Sequence, residues 1–307
     1  MTLNAVGSEI GAAGRTRSRR LGALLEAARP RQWTKNLIVF APLVFAGDLT
    51  HISSLLRVGA AFVLFCVTSA AVYLFNDARD AEADRRHPLK QQRPIAAGRL
   101  APGTALRASG LLALGAVGAA ALLDPRLAAV LAGYGLLMAA YTLWLKRLVL
   151  LDVLAIAAGF VLRAAAGAVV IAVPLSLWLY ACTVLLSLFL GFGKRRHELA
   201  LLRATAGAHR TSLAAYAPAL LDRLIVLTAG ATILAYTLYT VAAPTLPANH
   251  AMLLTVPFVL YGLGRYLYLV YKQGHGGAPE RVLLEDWPLL ASVLLWGAAA
   301  IVILYIF

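Results

Sequence analysis

The chain has 307 residues, of which 61% are hydrophobic and only 14% are charged, and its mean hydropathy is +0.77. Soluble domains are about 45–50% apolar and about 25% charged, so this composition excludes a soluble globular protein and indicates a chain embedded in a lipid bilayer. The net charge of +14 does not indicate nucleic-acid binding, because the basic residues lie in short clusters between apolar runs, as they do in the loops of membrane proteins.

The first 28 residues form a basic and comparatively polar segment. Four arginines lie between positions 15 and 20, and the apolar stretch that follows is interrupted by Glu26 and ends at Arg29. This stretch is too short and too polar for the apolar region of a signal peptide. We therefore predict a cytosolic tail and interfacial segment over residues 1–28 and one membrane domain over residues 29–307.

Nine apolar segments approach the roughly 20 residues that a transmembrane helix needs. They predict an all-α integral membrane protein with nine transmembrane helices. The first segment is the least regular, because it contains Lys35, Asn36 and Pro42, although neighbouring helices can accommodate a proline in a membrane. The predicted spans are residues 33–47, 55–76, 103–123, 127–145, 150–172, 175–193, 219–242, 251–271 and 288–306.

The distribution of basic residues orients these spans. With the N-terminus in the cytosol, 25 of the 28 lysines and arginines fall on the cytosolic side, Arg57 and Arg126 fall on the other side, and Arg163 lies within the fifth span. Cytosolic loops of membrane proteins carry such an excess of basic residues. The pattern predicts a multi-pass protein with a cytosolic N-terminus, an extracytoplasmic C-terminus and an active site that faces the cytosol.

An aspartate-rich stretch follows the second span. If the helix continues past Asp77 at 100° per residue, the side chains of Asn76, Asp77, Asp80 and Asp84 fall within an arc of about 100°. Carboxylates on one face of a helix repel each other, so the arrangement favours a bound divalent cation. Mg²⁺ prefers carboxylate oxygens together with water and substrate phosphates. We predict that Asp77, Asp80 and Asp84 hold Mg²⁺.

Basic residues follow the acidic ones in the same loop, among them Arg85, Lys90 and Arg93. Acids that hold a metal beside bases that hold phosphate indicate a diphosphate site. The alternative is a solvated loop whose acidic and basic side chains neutralise each other. The position of the acids at the end of a membrane helix favours the diphosphate site.

The string NDARDAEADRRHPLKQQRPIAAG, residues 76–98, closely resembles the first aspartate-rich motif of the UbiA prenyltransferase superfamily. Upstream, residues 29–36 resemble the entry motif of that superfamily, and they include Lys35. The resemblance implies nine helices around a central cavity, with Mg²⁺ and a diphosphate held beneath a cytosolic cap.

The corresponding place after the sixth span departs from that superfamily. Its members typically carry a second aspartate-rich motif there, whereas this chain reads GFGKRRHEL over residues 191–199, with Glu198 as the one carboxylate among four basic or potentially basic residues. This string, together with residues 141–147 and 151–163, resembles the decaprenyl-phosphate phosphoribosyltransferase branch of the superfamily.

The resemblance to that branch implies a bacterial plasma-membrane enzyme for cell-wall arabinan synthesis. Its donor would be phosphoribosyl diphosphate, bound with Mg²⁺, and its acceptor a polyprenyl phosphate such as decaprenyl phosphate. The residues assigned to catalysis are Asp77, Asp80, Asp84 and Glu198. Those assigned to substrate binding are Lys35, Asn76, Arg85, Lys90, Arg93, Tyr141, Lys146, Asp152, Lys194, Arg195 and His197.

Several polar residues also have structural interpretations. Asp152 has the position of a helix N-cap, and Tyr141 that of an aromatic residue at the membrane interface. His197 contacts phosphate or is a structural histidine. Arg163, inside the fifth span, either serves function or fixes helix packing through backbone carbonyls.

Two other functions remain as alternatives. One is a conventional prenyltransferase that moves a polyprenyl chain from its diphosphate to an aromatic acceptor, and the missing second aspartate motif stands against it. The other is a transporter, for which polar helix breaks at mid-membrane are expected, whereas these charges cluster at one face. The sequence leaves the lipid length and the oligomeric state open, a homo-oligomer included.

Overall fold

The structure is a computed structural model, and it describes residues 20–174, 176–202, 213, 215–243, 246–247, 249–272, 274 and 276–306. The described residues form helices and turns, without a β-strand among them. Eight helices are long and apolar enough to cross a membrane. They are α1 (Ile52–Arg79), α2 (Pro102–Leu123), α3 (Pro125–Leu143), α4 (Leu151–Val170), α5 (Leu177–Leu202), α6 (Pro218–Ala242), α7 (Val256–Lys272) and α8 (Trp287–Ile306).

The first predicted span has a different structure. Residues Pro30–Phe40 form a 3-10 helix, and Ala41–Phe45 continue as a short α-helix; we call the two together the entry segment. The prediction of nine long helices is therefore not confirmed, since the described residues contain eight long helices and this irregular segment.

The entry segment runs along the bundle from one end to the other. Arg29, just before it, pairs with Asp77 near the end of α1. Just after it, the backbone N–H of Leu49 donates to the hydroxyl of Tyr305 near the end of α8, over 3.0 Å. A 3-10 helix rises about 2.0 Å per residue and an α-helix about 1.5 Å, so the segment extends over about 30 Å, the thickness of the hydrocarbon core.

A glycine allows the entry segment to approach α4 closely. A Cβ atom on Gly167 would lie 1.9 Å from the carbonyl oxygen of Val39. Between these two elements, the buried side chain of Asn36 accepts a hydrogen bond from Arg163 Nε (2.7 Å) and another from Ser69 Oγ (3.3 Å). A polar residue in the middle of this segment is therefore tolerated because its hydrogen bonds are made inside the protein.

The two largest hydrophobic clusters of the core meet at α4. One joins the entry segment to α1–α4 around Phe65 and Leu131, and the other joins the start of α4 to α5–α8 around Phe189 and Leu221. The leucines that remain exposed on the helix surfaces would contact lipid. α1 and α5 each carry polar and charged residues at their C-terminal ends.

Ion pairs place the polar ends of the helices at one end of the bundle. Lys146, after α3, contacts Asp80, after α1. The ends of α4 and α5 meet at Asp152 and Arg195, and those of α5 and α6 meet through Arg196. We call this the charged end of the bundle. The candidate functional residues lie there because each long helix either begins or finishes at that end.

Candidate active site

The aspartate-rich stretch forms the first of two charged clusters at the charged end. α1 ends one residue before Asp80, and the short helix Ala81–Arg85 follows. Asp77 (2% exposed) and Asp84 (4% exposed) are both buried. Nη1 of Arg93 donates to both of them, over 2.6 Å to Asp84 Oδ2 and 3.1 Å to Asp77 Oδ1. The two carboxylates therefore face a common point.

Asp77 has a second arginine partner. Nη2 of Arg29 pairs with both carboxylate oxygens and lies 2.6 Å from Oδ2. The same guanidinium lies over the ring of Tyr73, 4.9 Å from its centroid. A buried ion pair thus fixes the start of the entry segment to the end of α1.

The interruption of the helix at Asp80 separates this carboxylate from the other two. Asp80 turns towards Lys146, whose Nζ lies 2.6 Å from each carboxylate oxygen. Across the described residues, no three His, Cys, Asp or Glu side chains are close enough together to hold one metal ion. The continuous helix assumed from the sequence is therefore wrong, whereas the metal assignment itself stays a prediction.

The Asp77–Asp84 pair has the chemistry of a cation site. Burial raises the pKa of the Asp84 carboxyl, and the charges of Arg93 and Lys90 offset this effect only in part. The negative charge of Asp77 raises the same pKa further. Additional positive charge would stabilise both carboxylates, and oxygen ligands of this kind suit a hard divalent cation.

The outer residues of this loop have different surroundings. Arg85 is exposed and donates to Glu82 (2.9 Å) and to the carbonyl of Ala96 (3.2 Å), so in this structure it does not reach the buried aspartates. Lys90 is half-buried, and its charge acts on Asp84. The assignment of Arg85 and Lys90 to substrate binding stays a prediction.

The GKRRHEL segment at the end of α5 forms the second cluster. Arg195 is 1% exposed. Its Nε lies 2.8 Å from Asp152 Oδ2, its Nη1 pairs with Glu198, and its Nη2 donates to the hydroxyl of Tyr141 over 3.3 Å. Asp152, fully buried, also accepts a hydrogen bond from the Tyr216 hydroxyl (2.7 Å) and does not cap α4. Arg195 and Asp152 are therefore a structural pair as well as site candidates.

Lys194 has no comparable partner. Its side chain is half-buried and makes no hydrogen bond or ion pair with a described residue. Glu198, one turn away, pairs with Arg195 instead. Glu280, from the loop before α8, lies 3.3 Å from Nζ of Lys35, and its charge also acts on Lys194. Two lysines from distant parts of the chain thus flank one carboxylate.

His197 contacts the loop between α7 and α8. Its Nδ1 lies 2.6 Å from the carbonyl oxygen of Gly274. A Cβ atom on Gly277 would lie 2.5 Å from the His197 ring, so the glycine allows this loop to pack directly on the imidazole. The structure gives His197 a structural contact, and its assignment to phosphate stays a prediction.

Two elements join the clusters. At the end of α3, the hydroxyl of Thr142 donates to Asn76 Oδ1 (3.2 Å) in the first cluster, while the neighbouring Tyr141 contacts the second. The entry segment and its preceding residue do the same, with Arg29 in the first cluster and Lys35 in the second. The first and second clusters are therefore neighbours at the charged end, connected through the end of α3 and the entry segment.

Unsatisfied polar atoms are concentrated in the second cluster. Among the described residues, five buried side-chain nitrogen or oxygen atoms lack a hydrogen-bond partner, and four lie here: Asp152 Oδ2, Arg195 Nε, Tyr266 Oη and Glu280 Oε2. The first two form an ion pair with each other and Glu280 Oε2 forms one with Lys35, in each case without hydrogen-bond geometry. The hydroxyl of Tyr266 is buried with no such partner, so it is the atom of this cluster that a polar ligand could satisfy.

Arg163 lies deeper in the bundle. It donates to Asn36 Oδ1 (2.7 Å), to the carbonyl of Gly159 (2.9 Å) and to the hydroxyl of Tyr134 (2.7 Å). Its guanidinium lies 4.6 Å from the centroid of the Tyr134 ring. These contacts connect α4 to α3 and the entry segment, which supports the packing interpretation of this residue.

Sequence reasoning did not assign a role to Arg29, Tyr216 or Glu280. Arg29 lies in the entry motif, so the motif contained a signal for it. Glu280 is a single acidic residue after Gly276-Gly277-Ala278-Pro279, and its role depends on Lys35, 245 positions earlier in the chain. No local pattern could have connected these two residues.

Eight long apolar helices with two neighbouring charged clusters at one end of the bundle are typical of a multi-pass integral membrane protein. Residues 37–284 match the model of the UbiA prenyltransferase family. The chain therefore belongs to the UbiA prenyltransferase family and is a membrane transferase.

Individual relatives agree with this membership. The chain is 37% identical over 287 residues to the decaprenyl-phosphate phosphoribosyltransferase of Mycolicibacterium smegmatis, covering 90% of each chain. It is 37% identical over 296 residues to the protein of the same name from Corynebacterium glutamicum, covering 92% of this chain and 87% of that one. A UbiA homolog from Archaeoglobus fulgidus, solved with GPP and Mg²⁺, matches the fold with a TM-score of 0.72 at 16% identity, over 92% of this chain and 99% of that one.

The Arg195→Ala substitution should destabilise the protein, because it leaves Asp152 buried without its cationic partner. Removal of one partner from a buried ion pair costs about 3–5 kcal/mol. Thermal unfolding in detergent should show a clearly lower midpoint for Arg195→Ala and a partial recovery when Asp152→Asn is added. Arg196→Ala is the matched control, because its pair with Asp222 is partly exposed and contributes about 0–1 kcal/mol. Equal midpoints for the Arg195 and Arg196 variants would contradict the structural role of the pair.

Proposed function

We propose that this chain transfers a 5-phosphoribosyl group from phosphoribosyl diphosphate to a polyprenyl phosphate, such as decaprenyl phosphate. The bond between ribose C1 and the diphosphate oxygen breaks, and its electron pair leaves with the diphosphate. An oxygen of the lipid phosphate forms the new bond to C1. The observation that carries the proposal is the second cluster, where Lys194 and Arg195 stand in place of a second aspartate motif and Lys35 of the entry segment lies nearby. The names of the relatives at 37% identity support the same activity.

The charge of the substrates matches the charge of the site. The donor carries a 5-phosphate and a diphosphate, and the acceptor carries a phosphate, whereas a prenyl diphosphate has one anionic group at the end of an apolar chain. Lysine binds phosphate as a point charge and arginine as a planar fork. Arg93 in the first cluster and Lys194 in the second therefore suit a substrate with phosphates at two separated positions.

Magnesium fits the first cluster. Asp77 and Asp84 offer oxygen ligands around a common point, and Mg²⁺ is commonly held by one or two carboxylates together with substrate phosphates. The UbiA homolog from Archaeoglobus fulgidus was solved with Mg²⁺, which supports the same assignment. When bound, Mg²⁺ neutralises charge on the departing diphosphate. Asp80, which pairs with Lys146 after α3, would be the third acidic side chain near the bound metal.

The remaining work of the protein is to bind and orient the two substrates. The lipid phosphate is already anionic, so no general base is required. Lys35 and Lys194 would hold phosphate, and Glu198 and Tyr141 would keep Arg195 oriented towards the same place. Catalysis would then depend on positioning and on stabilising the charge that develops during transfer.

Substitution of either buried aspartate should abolish transfer. Asp77→Asn and Asp84→Asn retain the volume of the side chain but remove the charge that holds the metal, so we expect turnover to fall by about 100-fold or more. Transfer of radiolabelled phosphoribosyl groups to decaprenyl phosphate measures this, and added EDTA should stop it in the wild type. Glu82→Gln, an exposed carboxylate of the same loop, is the control and should retain activity. Full activity in either aspartate variant, or indifference to EDTA, would exclude the metal assignment.

Lys194→Ala should weaken the use of phosphoribosyl diphosphate by about 10-fold or more, because a hydrogen bond to a charged group contributes about 1.5–3 kcal/mol. Lys194 has no ion-pair partner among the described residues, so its loss should leave the unfolding temperature nearly unchanged. Lys272→Ala, an exposed lysine at the end of α7, is the matched control.

The same assay separates the conventional prenyltransferase from the proposed enzyme. If a prenyl diphosphate with an aromatic acceptor supports turnover and the ribosyl donor does not, the conventional activity replaces the proposed one. If Lys194→Ala leaves the KM for phosphoribosyl diphosphate unchanged, the second cluster no longer supports the proposed activity.

We further propose that the charged end faces the cytosol of a bacterial cell and that the product feeds cell-wall arabinan synthesis. The bias of basic residues towards this end supports the orientation. In a variant without Cys66 and Cys182, a cysteine at Thr50 or Asn249 should react with an impermeant reagent outside intact cells, and one at Gln91 only after permeabilisation. The opposite labelling at any of these positions would reverse the orientation.

A further inference from the structure

We infer that Glu280 is a specificity-determining residue whose carboxylate accepts hydrogen bonds from the cis-diol of a ribosyl substrate in the second cluster. The inference rests on the proposed function, because it names the part of the same donor that this cluster recognises. It adds a residue from the loop before α8, outside the two motif-bearing loops.

The position of Glu280 is fixed from two sides. It lies in the first turn of the short helix Pro279–Glu285, and its Oε2 is 3.3 Å from Nζ of Lys35 in the entry segment. The preceding glycines pack closely on α5, since a Cβ atom on Gly276 would lie 2.9 Å from the carbonyl oxygen of Gly193. The carboxylate is therefore held at the second cluster and does not extend into solvent.

The polar groups around Glu280 are only partly satisfied. Glu280 Oε2 has Lys35 Nζ as its ion-pair partner, at 3.3 Å and without hydrogen-bond geometry. The hydroxyl of Tyr266 is buried without a hydrogen bond, and the Lys194 amine makes no hydrogen bond or ion pair with a described residue. Lysine only donates hydrogen bonds, and an ionised carboxylate only accepts them. A ligand that satisfies this place must therefore present anionic oxygens to the lysines and hydroxyl groups to Glu280.

Glu280 is an acceptor at neutral pH. Burial alone would raise the pKa of its carboxyl, but the charges of Lys35 and Lys194 hold that pKa below its ordinary value. A phosphate group next to an ionised carboxylate is repelled, whereas two adjacent hydroxyl groups can each donate to one carboxylate oxygen. A phosphorylated sugar has both kinds of group, and a prenyl diphosphate has no hydroxyl on its chain. Glu280 thus favours the sugar donor and disfavours the lipid donor.

A purely structural role makes a different prediction. If Glu280 only ties the loop to Lys35, its removal would affect all anionic ligands equally, through the freed lysine and the loosened loop. Recognition of the diol instead requires that the effect depends on the hydroxyl groups of the ligand. The comparison of two sugars that differ in one hydroxyl separates the two roles.

The experiment measures displacement of radiolabelled phosphoribosyl diphosphate from the full-length protein in detergent, by ribose 5-phosphate and by 2-deoxyribose 5-phosphate. In the wild type, we expect ribose 5-phosphate to bind about 10-fold more tightly, the effect of one hydrogen bond to a charged group. In Glu280→Ala, the ratio of the two affinities should fall to about one. Any change in phosphate affinity cancels in this ratio, because both sugars carry the same phosphate.

Two further variants complete the test. Glu285→Ala removes an exposed carboxylate of the same short helix, paired with Arg281, and should retain the wild-type ratio. Glu280→Gln preserves the size of the side chain and replaces the alanine variant if that variant is unstable; its ratio should also fall below that of the wild type. A wild-type ratio in the Glu280 variants, or a wild type that does not discriminate between the sugars, overturns the inference. Failure of the wild type to bind or transfer phosphoribosyl diphosphate instead overturns the proposed function.

Discussion

Buried charge at one end of an apolar bundle is the constraint on which this structure depends. A carboxylate removed from water costs several kcal/mol unless a cation lies beside it. Asp77 therefore pairs with Arg29 and Arg93, and Asp152 pairs with Arg195. These contacts connect elements that are distant in sequence, so the same pairs that neutralise the charges also fix the ends of the entry segment, α1, α4 and α5.

Charged side chains whose hydrogen bonds are all made within the protein have a structural role, whereas those left without partners are candidates for ligand binding. Arg163 is surrounded by three acceptors and aromatic rings, so it needs nothing further. Lys194 makes no hydrogen bond or ion pair with a described residue, and the hydroxyl of Tyr266 is buried without a hydrogen bond. Buried polar groups are usually paired, so the proposed substrate would satisfy these groups when it binds. The second cluster therefore contains a lysine that no described acidic side chain neutralises in an ion pair.

The sequence by itself determined the membrane class, the all-helical architecture and the position of the charged end. The predicted spans 103–123 and 219–242 agree closely with α2, Pro102–Leu123, and α6, Pro218–Ala242. The length of an apolar segment can be read from the local sequence. Such a segment forms a helix in a bilayer because every backbone polar group must be hydrogen-bonded within the segment. The motif at residues 76–98 likewise indicated the family that the comparisons confirm. Its residue pattern is local and needs no knowledge of the rest of the fold.

Only the tertiary structure decided how the charges are paired and where the first helix is interrupted. Asp80 leaves the face it would share on a continuous helix and contacts Lys146, 66 positions later. Glu198 pairs with Arg195 although Lys194 has the favourable spacing of one helical turn. The entry segment lies against α4, where Asn36 bonds to Arg163 and Gly167 leaves room for the backbone of Val39. Each outcome depends on a partner far away in sequence, whereas periodicity reports only the neighbours within one or two turns.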